Sequence, residues 1–181
     1  MHFKNSQSAG FSILEVLITA AIIGVVTAIV VIRYGAFNNS VLLKSQAYEM
    51  ALDLREAQVF AVSVREGSGG FRDEYGIYFT TASSTEYQLF IDSSPSNQLY
   101  DPGEELGDPY RLDSRFGITN LTINGSDVSE FSVVFKRPDF DAIIEGDPSN
   151  TTATIVIEPV SAASGETRTV EVTSTGQITV Q

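Results

Sequence analysis

Residues 9–32 read AGFSILEVLITAAIIGVVTAIVVI and are the stretch of this chain that decides its fold. They contain about 22 mostly apolar residues, which as an α-helix would extend roughly 33 Å and could cross a hydrocarbon core of about 30 Å. A single carboxylate, Glu15, interrupts the run close to its start. Because a charge inside a membrane is unfavourable even near a helix end, Glu15 is expected to need a partner. The pattern predicts a membrane helix over residues 11–34.

The residues just before this helix carry a motif. A short polar leader, residues 1–10, ends in Gly10, and Phe11 and the apolar run follow it. This arrangement resembles the class III leader of type IV prepilins and type II secretion pseudopilins. The resemblance implies that a prepilin peptidase cleaves after Gly10, that the new amine of Phe11 is methylated, and that Glu15 meets the N-terminal amine of a neighbouring subunit. Glycine suits such a site because a backbone without Cβ can approach another protein closely.

Two alternatives for this segment stay open. Ser12-x-x-Glu15 before an apolar run is also a capping box, in which both side chains would satisfy N-terminal amides of the helix. The substitution Glu15→Gln separates the two hypotheses, because glutamine keeps a capping amide and loses the charge that pairs with an ammonium. A secretory signal peptide is disfavoured, since its apolar region is usually only about 7 to 15 residues long.

The composition excludes most enzyme chemistry. The only histidine, His2, lies in the predicted leader, and the chain has no cysteine, so a processed chain would lack imidazole and thiolate. A Ser-His-Asp triad, a thiol nucleophile and a zinc site are therefore not expected, and the sequence predicts no catalytic residues. Paired carboxylates could still hydrolyse glycosides in a cleft, which remains a minor alternative. The formal net charge of −12 disfavours nucleic acid as a partner.

A second, amphipathic helical segment is predicted over residues 35–66. Gly35 resembles a helix C-cap and Asn39 or Ser40 an N-cap, so local signals favour a break, whereas the prepilin resemblance implies one long helix. We expect the continuous helix. Apolar residues spaced by three and four are expected to pack on the chain's own sheet, with contact between subunits as the smaller alternative; they are Leu43, Ala47, Met50, Leu54, Ala57, Ala61 and Val64.

The remaining residues, 67–181, are predicted to form one β-rich globular domain. The glycine-rich residues 67–70 are interpreted as a flexible connection. Short strands separated by turns are expected at residues 76–79, 86–92, 117–123, 130–136, 153–157, 167–173 and 177–180, the last two as a hairpin. A long helix followed by such strands resembles the H-type minor pseudopilins and FimT-like minor pilins. The resemblance implies an α+β pilin fold, in which the long N-terminal helix packs on an antiparallel β-sheet domain.

Two acidic stretches could be sites or ordinary loops. Asp92, Asn97, Asp101 and Glu104 are weak calcium candidates, because Ca²⁺ takes about six to eight oxygen ligands and related pseudopilins sometimes bind calcium in a loop. The stretch lacks EF-hand spacing, and proline with aspartate is normal turn chemistry, so we favour a solvated loop and expect no cofactor. The second stretch, with Asp139, Asp141, Glu145 and Asp147, is interpreted as a solubilising loop.

The functional expectation is a structural subunit, expected to be minor, of a type IV pilus or a type II secretion pseudopilus. Lys4 and Arg33 lie at opposite ends of the apolar run, so charge alone does not decide its orientation. The resemblance implies a single pass through the inner membrane, with the C-terminal domain outside the cytoplasm and later in a filament. Its implied partners are other pilin or pseudopilin subunits, the prepilin peptidase/methyltransferase and the membrane. The alternative is a membrane-anchored surface module that binds a ligand and is retained unassembled.

Overall fold

A computed structural model describes residues 10–63, 73–93, 96–138, 140–161 and 165–181, without the side chains of residues 34–37. The chain divides into two compact units, Met1–Asn39 and Ser40–Gln181. One helix, α1, spans Ile13–Val62, so its residues before Ser40 belong to the first unit and the others to the second. The predictions for the leader before Gly10 and for residues 67–70 lie outside the described residues.

The helix α1 is continuous, as the prepilin resemblance implied. The local break signals at Gly35 and Asn39 do not interrupt it. A glycine inside a helix costs only about 1 kcal/mol relative to alanine, whereas ending the helix and starting a new one would require a second unfavourable nucleation. Strongly helical sequence on both sides therefore outweighs the local signals.

The part of α1 in the first unit is apolar on all sides. Within the described residues, α1 is the one helix that is long and apolar enough to cross a membrane, and its most apolar stretch is entirely exposed in the single chain. Phe11, Leu14, Ile22 and Val30 are among the large side chains that face outward there. A helix that is apolar all round is covered by lipid or by other helices. This surface supports membrane anchoring.

The second unit contains short antiparallel strands in two five-stranded sheets. The first sheet has the order β3-β2-β1-β6-β7 and the second the order β10-β9-β8-β4-β5. Their bounds are β1 (Glu74–Thr80), β2 (Glu86–Asp92), β3 (Tyr110–Arg111), β4 (Phe116–Ile123), β5 (Ser126–Val128), β6 (Glu130–Phe135), β7 (Ala142–Ile144), β8 (Thr152–Pro159), β9 (Arg168–Thr173) and β10 (Ile178–Val180).

The fold class predicted from the sequence is confirmed, with two refinements. Every predicted strand is present, but the strands form two sheets instead of one, and the short strands β3, β5 and β7 were not predicted. The final hairpin is present as well: Ile178 lies opposite Val172, and Val180 lies opposite Val170. Gly176 at its turn has a φ of 74°, which favours glycine.

One hydrophobic core joins α1 to both sheets. The predicted apolar face of α1 is buried in this core, at Leu43, Ala47, Met50, Leu54, Ala57 and Ala61, while Val64 lies outside the described residues. The small alanine side chains allow the helix to approach the strands closely. The prediction that this face packs on the chain's own sheets is therefore confirmed.

The first acidic stretch is accessible to solvent over its described residues after Asp92, as expected for a solvated loop, but it is anchored to the first sheet. Asp92, at the end of β2, is only 1% exposed. Tyr100 stacks on the ring of Tyr78 of β1, with 4.5 Å between centroids, and contacts Phe90 edge-on. The backbone N–H of Tyr100 also donates to Ser132 Oγ of β6 at 3.0 Å. The described residues of this loop thus cover a face of the first sheet.

The second acidic stretch is also more ordered than a solubilising loop. It contains β7, and Glu145 directly after that strand accepts a hydrogen bond from the N–H of Ser132 at 2.9 Å. Asp147 accepts one from the N–H of Ser149 at 2.8 Å, and Asp141 is exposed. Asp139 lies outside the described residues. The apolar triplet Ala142-Ile143-Ile144 was too short to show a strand period in the sequence, and it is a strand because it pairs with β6.

Candidate functional site

The predicted cleavage site lies immediately before α1. Gly10, Phe11 and Ser12 are outside regular secondary structure, and the helix begins at Ile13. The side chain of Phe11 is 82% exposed. A peptidase could therefore reach the Gly10–Phe11 bond without first unwinding the helix.

The chain itself does not require glycine at position 10. A Cβ placed on Gly10 would meet no atom within 4 Å. Gly176, in contrast, could not carry a Cβ, because that atom would lie 1.8 Å from the carbonyl oxygen of Phe140. A requirement for glycine at position 10 would therefore come from a protein that binds this segment, which fits recognition by a peptidase.

Glu15 lies in the first turn of α1. The carbonyl of Ser12 accepts hydrogen bonds from the N–H groups of Glu15 at 3.0 Å and Val16 at 3.2 Å. Since the Glu15 amide is already bonded to a backbone carbonyl, the Ser12 hydroxyl does not cap it. Among the described residues, the Ser12 and Glu15 side chains have no hydrogen-bond partner. The capping box is thus not formed, and the carboxylate stands open to a group from outside the chain, next to the positive end of the helix dipole.

The far end of the apolar stretch carries a charge. Arg33 is exposed, as expected for a guanidinium that reaches water from the edge of a membrane. The 23 residues between Phe11 and Arg33, counting both ends, are enough to span a bilayer.

The structure brings the four calcium candidates into one loop, but their oxygens already accept hydrogen bonds. The Asp92 carboxylate binds the N–H groups of Asn97 at 3.1 Å and Gln98 at 2.8 Å. The Glu104 carboxylate binds the N–H groups of Ser93 at 3.0 Å and Asp101 at 3.1 Å. These carboxylates hold the loop backbone in place, which is a structural role.

The amide of Asn97 completes this network. Its oxygen accepts from the N–H of Leu99 at 3.0 Å, and its nitrogen donates to Asp101 at 2.9 Å. Within the described ranges, no group of three or more histidine, aspartate or glutamate side chains is placed to hold a metal ion. Calcium binding by this loop remains a hypothesis that titration can test.

A tyrosine pair on the first sheet was not identified from the sequence. The rings of Tyr78 and Tyr100 stack with an angle of 23° between their planes. Tyr78 donates to the Glu130 carboxylate, and Tyr100 donates to Glu105 at 2.5 Å. Burial, followed by the bond to Glu105, raises the pKa of Tyr100 to about 12, so its hydroxyl stays protonated at neutral pH. No local signal could have found the pair, since the two residues belong to different segments.

Residues 5–31 match the family model of the prokaryotic N-terminal methylation motif. No curated protein and no solved structure matches the chain. The match supports a type IV pilin-like protein, a class of structural subunits that a prepilin peptidase processes and that assemble with other pilin subunits. It covers the second half of the predicted leader, including Gly10, then Phe11 and Glu15, and it ends within the apolar part of α1.

Proposed function

We propose that this chain is a minor structural subunit of a type IV pilus or a type II secretion pseudopilus, cleaved after Gly10 and N-methylated at Phe11. The observation that carries the proposal is Glu15, a carboxylate without a partner among the described residues, in the first turn of a helix whose most apolar stretch is fully exposed. The methylation motif surrounds this residue. Cleavage would create a new positively charged amine one helical turn away, on this chain and on each related subunit.

The physical role of Glu15 follows from its surroundings. An unpaired carboxylate in an apolar environment is destabilising, and an ion pair with an ammonium offsets much of that cost. Two helices that pack side by side, displaced along their axes, would bring the Glu15 of one subunit to the Phe11 amine of the next. The exposed apolar surface between Phe11 and Ile32 would be buried in the same contact.

The proposed organisation follows the motif and the fold. Residues 1–10 form the leader, 11–34 the transmembrane and assembly helix, 35–66 the amphipathic helix and 67–181 the β-rich domain. The precursor would cross the inner membrane once, with the β-rich domain on the extracytoplasmic side. The long helix followed by short antiparallel strands supports an H-type or FimT-like subunit.

A second candidate function is a membrane-anchored module that binds a ligand and is not assembled. The open cavities beside the tyrosine pair favour it, because they give the second unit a surface on which a ligand could bind. The two functions differ at the amino terminus. A processed and methylated chain supports the subunit, whereas a chain that retains residues 1–10 supports the module.

The test is an intact-mass measurement on the native protein, combined with filament isolation. We expect loss of residues 1–10 and addition of one methyl group. In the Glu15→Gln variant, incorporation into filaments should fall at least about tenfold, as expected when a hydrogen bond to a charged group, about 1.5 to 3 kcal/mol, is weakened.

The matched control is Glu171→Gln, which removes the same charge from β9 and should leave incorporation unchanged. Normal incorporation of Glu15→Gln would show that charge pairing is not needed. Recovery of the unprocessed chain would contradict the subunit proposal itself.

A further inference from the structure

The tyrosine pair separates two open cavities on the first sheet. One has a volume of about 230 Å³ and extends toward β2, and the other has about 350 Å³ and extends toward β6. Both Tyr78 and Tyr100 line both cavities. We call the two cavities and the ring pair between them the tyrosine cleft. Each cavity is large enough for one long side chain. The smaller lies below the roughly 300 to 1,000 Å³ of typical small-molecule pockets, and the larger lies near the lower end of that range.

The tyrosine cleft is lined by several carboxylates. Glu86 and Glu105 line the smaller cavity, and Asp101, Glu130 and Glu145 line the larger one. Among the residues that the structure describes, no lysine, arginine or histidine lines either cavity. Arg111 pairs with Glu86 at 3.1 Å, and its side chain is 72% exposed. The remaining carboxylates give the cleft an excess of negative charge.

Hydrogen bonds orient the carboxylates beside the rings. Glu105 accepts from the Tyr100 hydroxyl and from the N–H of Gly103 at 3.0 Å, and Glu130 accepts from the Tyr78 hydroxyl. The bond from Tyr100 lowers the pKa of Glu105, so this group is ionised at neutral pH. A carboxylate can accept about four hydrogen bonds, so both groups keep free acceptor sites.

The larger cavity is also lined by two carboxylates, Glu130 and Glu145, whose charges repel each other. Burial raises the pKa of Glu145, and the nearby charge of Glu130 raises it further. The N–H of Ser132 stabilises the ionised form of Glu145 only in part. A positive group between Glu130 and Glu145 would interact favourably with both carboxylates.

We propose that the tyrosine cleft binds arginine side chains presented by a partner protein. A guanidinium is planar, so it can stack on a tyrosine ring while its N–H groups bind a carboxylate in a bidentate manner. The cleft offers these two elements side by side in each cavity. Two cavities that share the Tyr78 and Tyr100 rings fit two cationic side chains carried on one extended peptide. This inference does not depend on cleavage or filament assembly.

The test measures peptide binding to the full-length chain in micelles of an uncharged detergent. The probe is the acetylated and amidated peptide Gly-Arg-Gly-Arg-Gly, studied by calorimetry at low salt. The first control is the same peptide with citrulline in place of arginine, which keeps the shape and removes the charge. The second is spermidine, which represents a free polyamine. We expect the arginine peptide to bind at least about tenfold more tightly than either control.

Variants of the protein locate the site. The double variant Glu105→Gln/Glu130→Gln should weaken binding of the arginine peptide about tenfold. The matched control, Glu158→Gln/Glu171→Gln, removes two charges from β8 and β9 of the second sheet and should change binding less than about twofold. The single variant Glu130→Gln repeats the test at an exposed position, should the double variant unfold.

Several results would overturn the inference. One is equal binding of the arginine and citrulline peptides, and another is an equal loss of peptide affinity in the two double variants. A third is no binding at about 10 mM peptide, because this concentration detects binding free energies weaker than about 3 kcal/mol. Spermidine binding as tight as that of the peptide would show that the cleft recognises free polyamines and not protein-borne arginine.

Discussion

Tyr87 of β2 donates a hydrogen bond to Asp53 of α1, with 2.5 Å between Oη and Oδ2. Tyr87 is only 4% exposed, and its ring stacks on Phe79 at 5.4 Å in the core. Burial raises the pKa of Tyr87, and the bond to Asp53 raises it further, so the hydroxyl remains a donor. This contact joins the amphipathic half of the helix to the first sheet.

Replacing Tyr87 with phenylalanine should lower the free energy of unfolding by about 1 to 3 kcal/mol, because Asp53 loses its partner at a partly buried position. Urea unfolding followed by circular dichroism measures this change. The control is Tyr110→Phe, which removes a bond of 2.9 Å to Glu56 at an exposed position and should cost about 0.5 kcal/mol or less. Equal effects of the two substitutions would contradict the role assigned to Tyr87.

Asp53 should make stability depend on pH in an unusual direction. Burial raises its pKa above the ordinary value of 3.8, although the bond from Tyr87 acts the other way. The folded state therefore holds the proton more tightly than the unfolded state. The stabilisation that results is complete below pH 3.8 and is lost as the pH rises through the folded-state pKa. The unfolding free energy of the wild type relative to Asp53→Asn should accordingly fall as the pH increases from 3 toward 7.

Asp113 provides a comparison with the opposite sign. Hydrogen bonds from Arg115 lower the pKa of Asp113 to about 2. Its contribution should be present above pH 3.8 and be lost as the pH falls toward 2. For Asp113, the unfolding free energy of the wild type relative to Asp113→Asn should rise with pH. The same rise measured relative to Asp53→Asn would refute the assignment for Asp53.

Gly76 of β1 should not tolerate a side chain. A Cβ there would lie 2.7 Å from the ring of Phe90 and 2.8 Å from the carbonyl oxygen of Val133, and a strand backbone cannot move aside easily. Gly76→Ala is expected to lower the free energy of unfolding by about 1 to 3 kcal/mol through overpacking. Gly117→Ala in β4 is the control, since its Cβ would first meet Ser84 at 3.4 Å. Equal stability of both variants would contradict this prediction and show that the first sheet can accommodate the added methyl group.

Calcium should not stabilise the chain through the loop that follows β2. The carboxylate oxygens of Asp92 and Glu104 accept backbone hydrogen bonds, which a metal ion would have to replace. Thermal melting in millimolar calcium chloride should match melting with a chelator, because a ligand that binds only the folded state must raise the Tm. A clear rise in Tm, abolished by Asp101→Asn, would establish the calcium site instead.

Gly10→Val should block cleavage without changing the fold. No atom of the described residues lies within 4 Å of a Cβ at this position, so the melting temperature should stay the same while intact mass shows residues 1–10 retained. Gly24→Ala is the control, because its added Cβ also has no described atom within 4 Å and residue 24 lies away from the cleavage site. Normal cleavage of Gly10→Val would mean that the processing site lies elsewhere.

Several elements of the fold could be predicted because their signals are local. The apolar run, the face from Leu43 to Ala61 and the alternation of Val170 and Val172 each reflect one segment's own periodicity. The short strands β3 and β7 could not be predicted in this way. Two or three residues are too few to show the alternation of apolar and polar side chains that marks a strand. Each of these strands forms because a longer neighbour, β2 for β3 and β6 for β7, offers backbone groups for hydrogen bonds.

By itself, the sequence determined the long apolar helix, the motif around Gly10 and Glu15, and the positions of the longer strands, since these depend on side chains that are near neighbours along the chain. Only the tertiary structure decided that the strands form two sheets, that Asp92 is buried, and that Tyr78 and Tyr100 stack. The physical reason is that the sheet order and the ring stack depend on contacts between residues far apart in sequence, and that the amides bonded to Asp92 are placed by the path of the loop after β2. A carboxylate such as Asp92 can leave water only where folding supplies backbone amides to replace it.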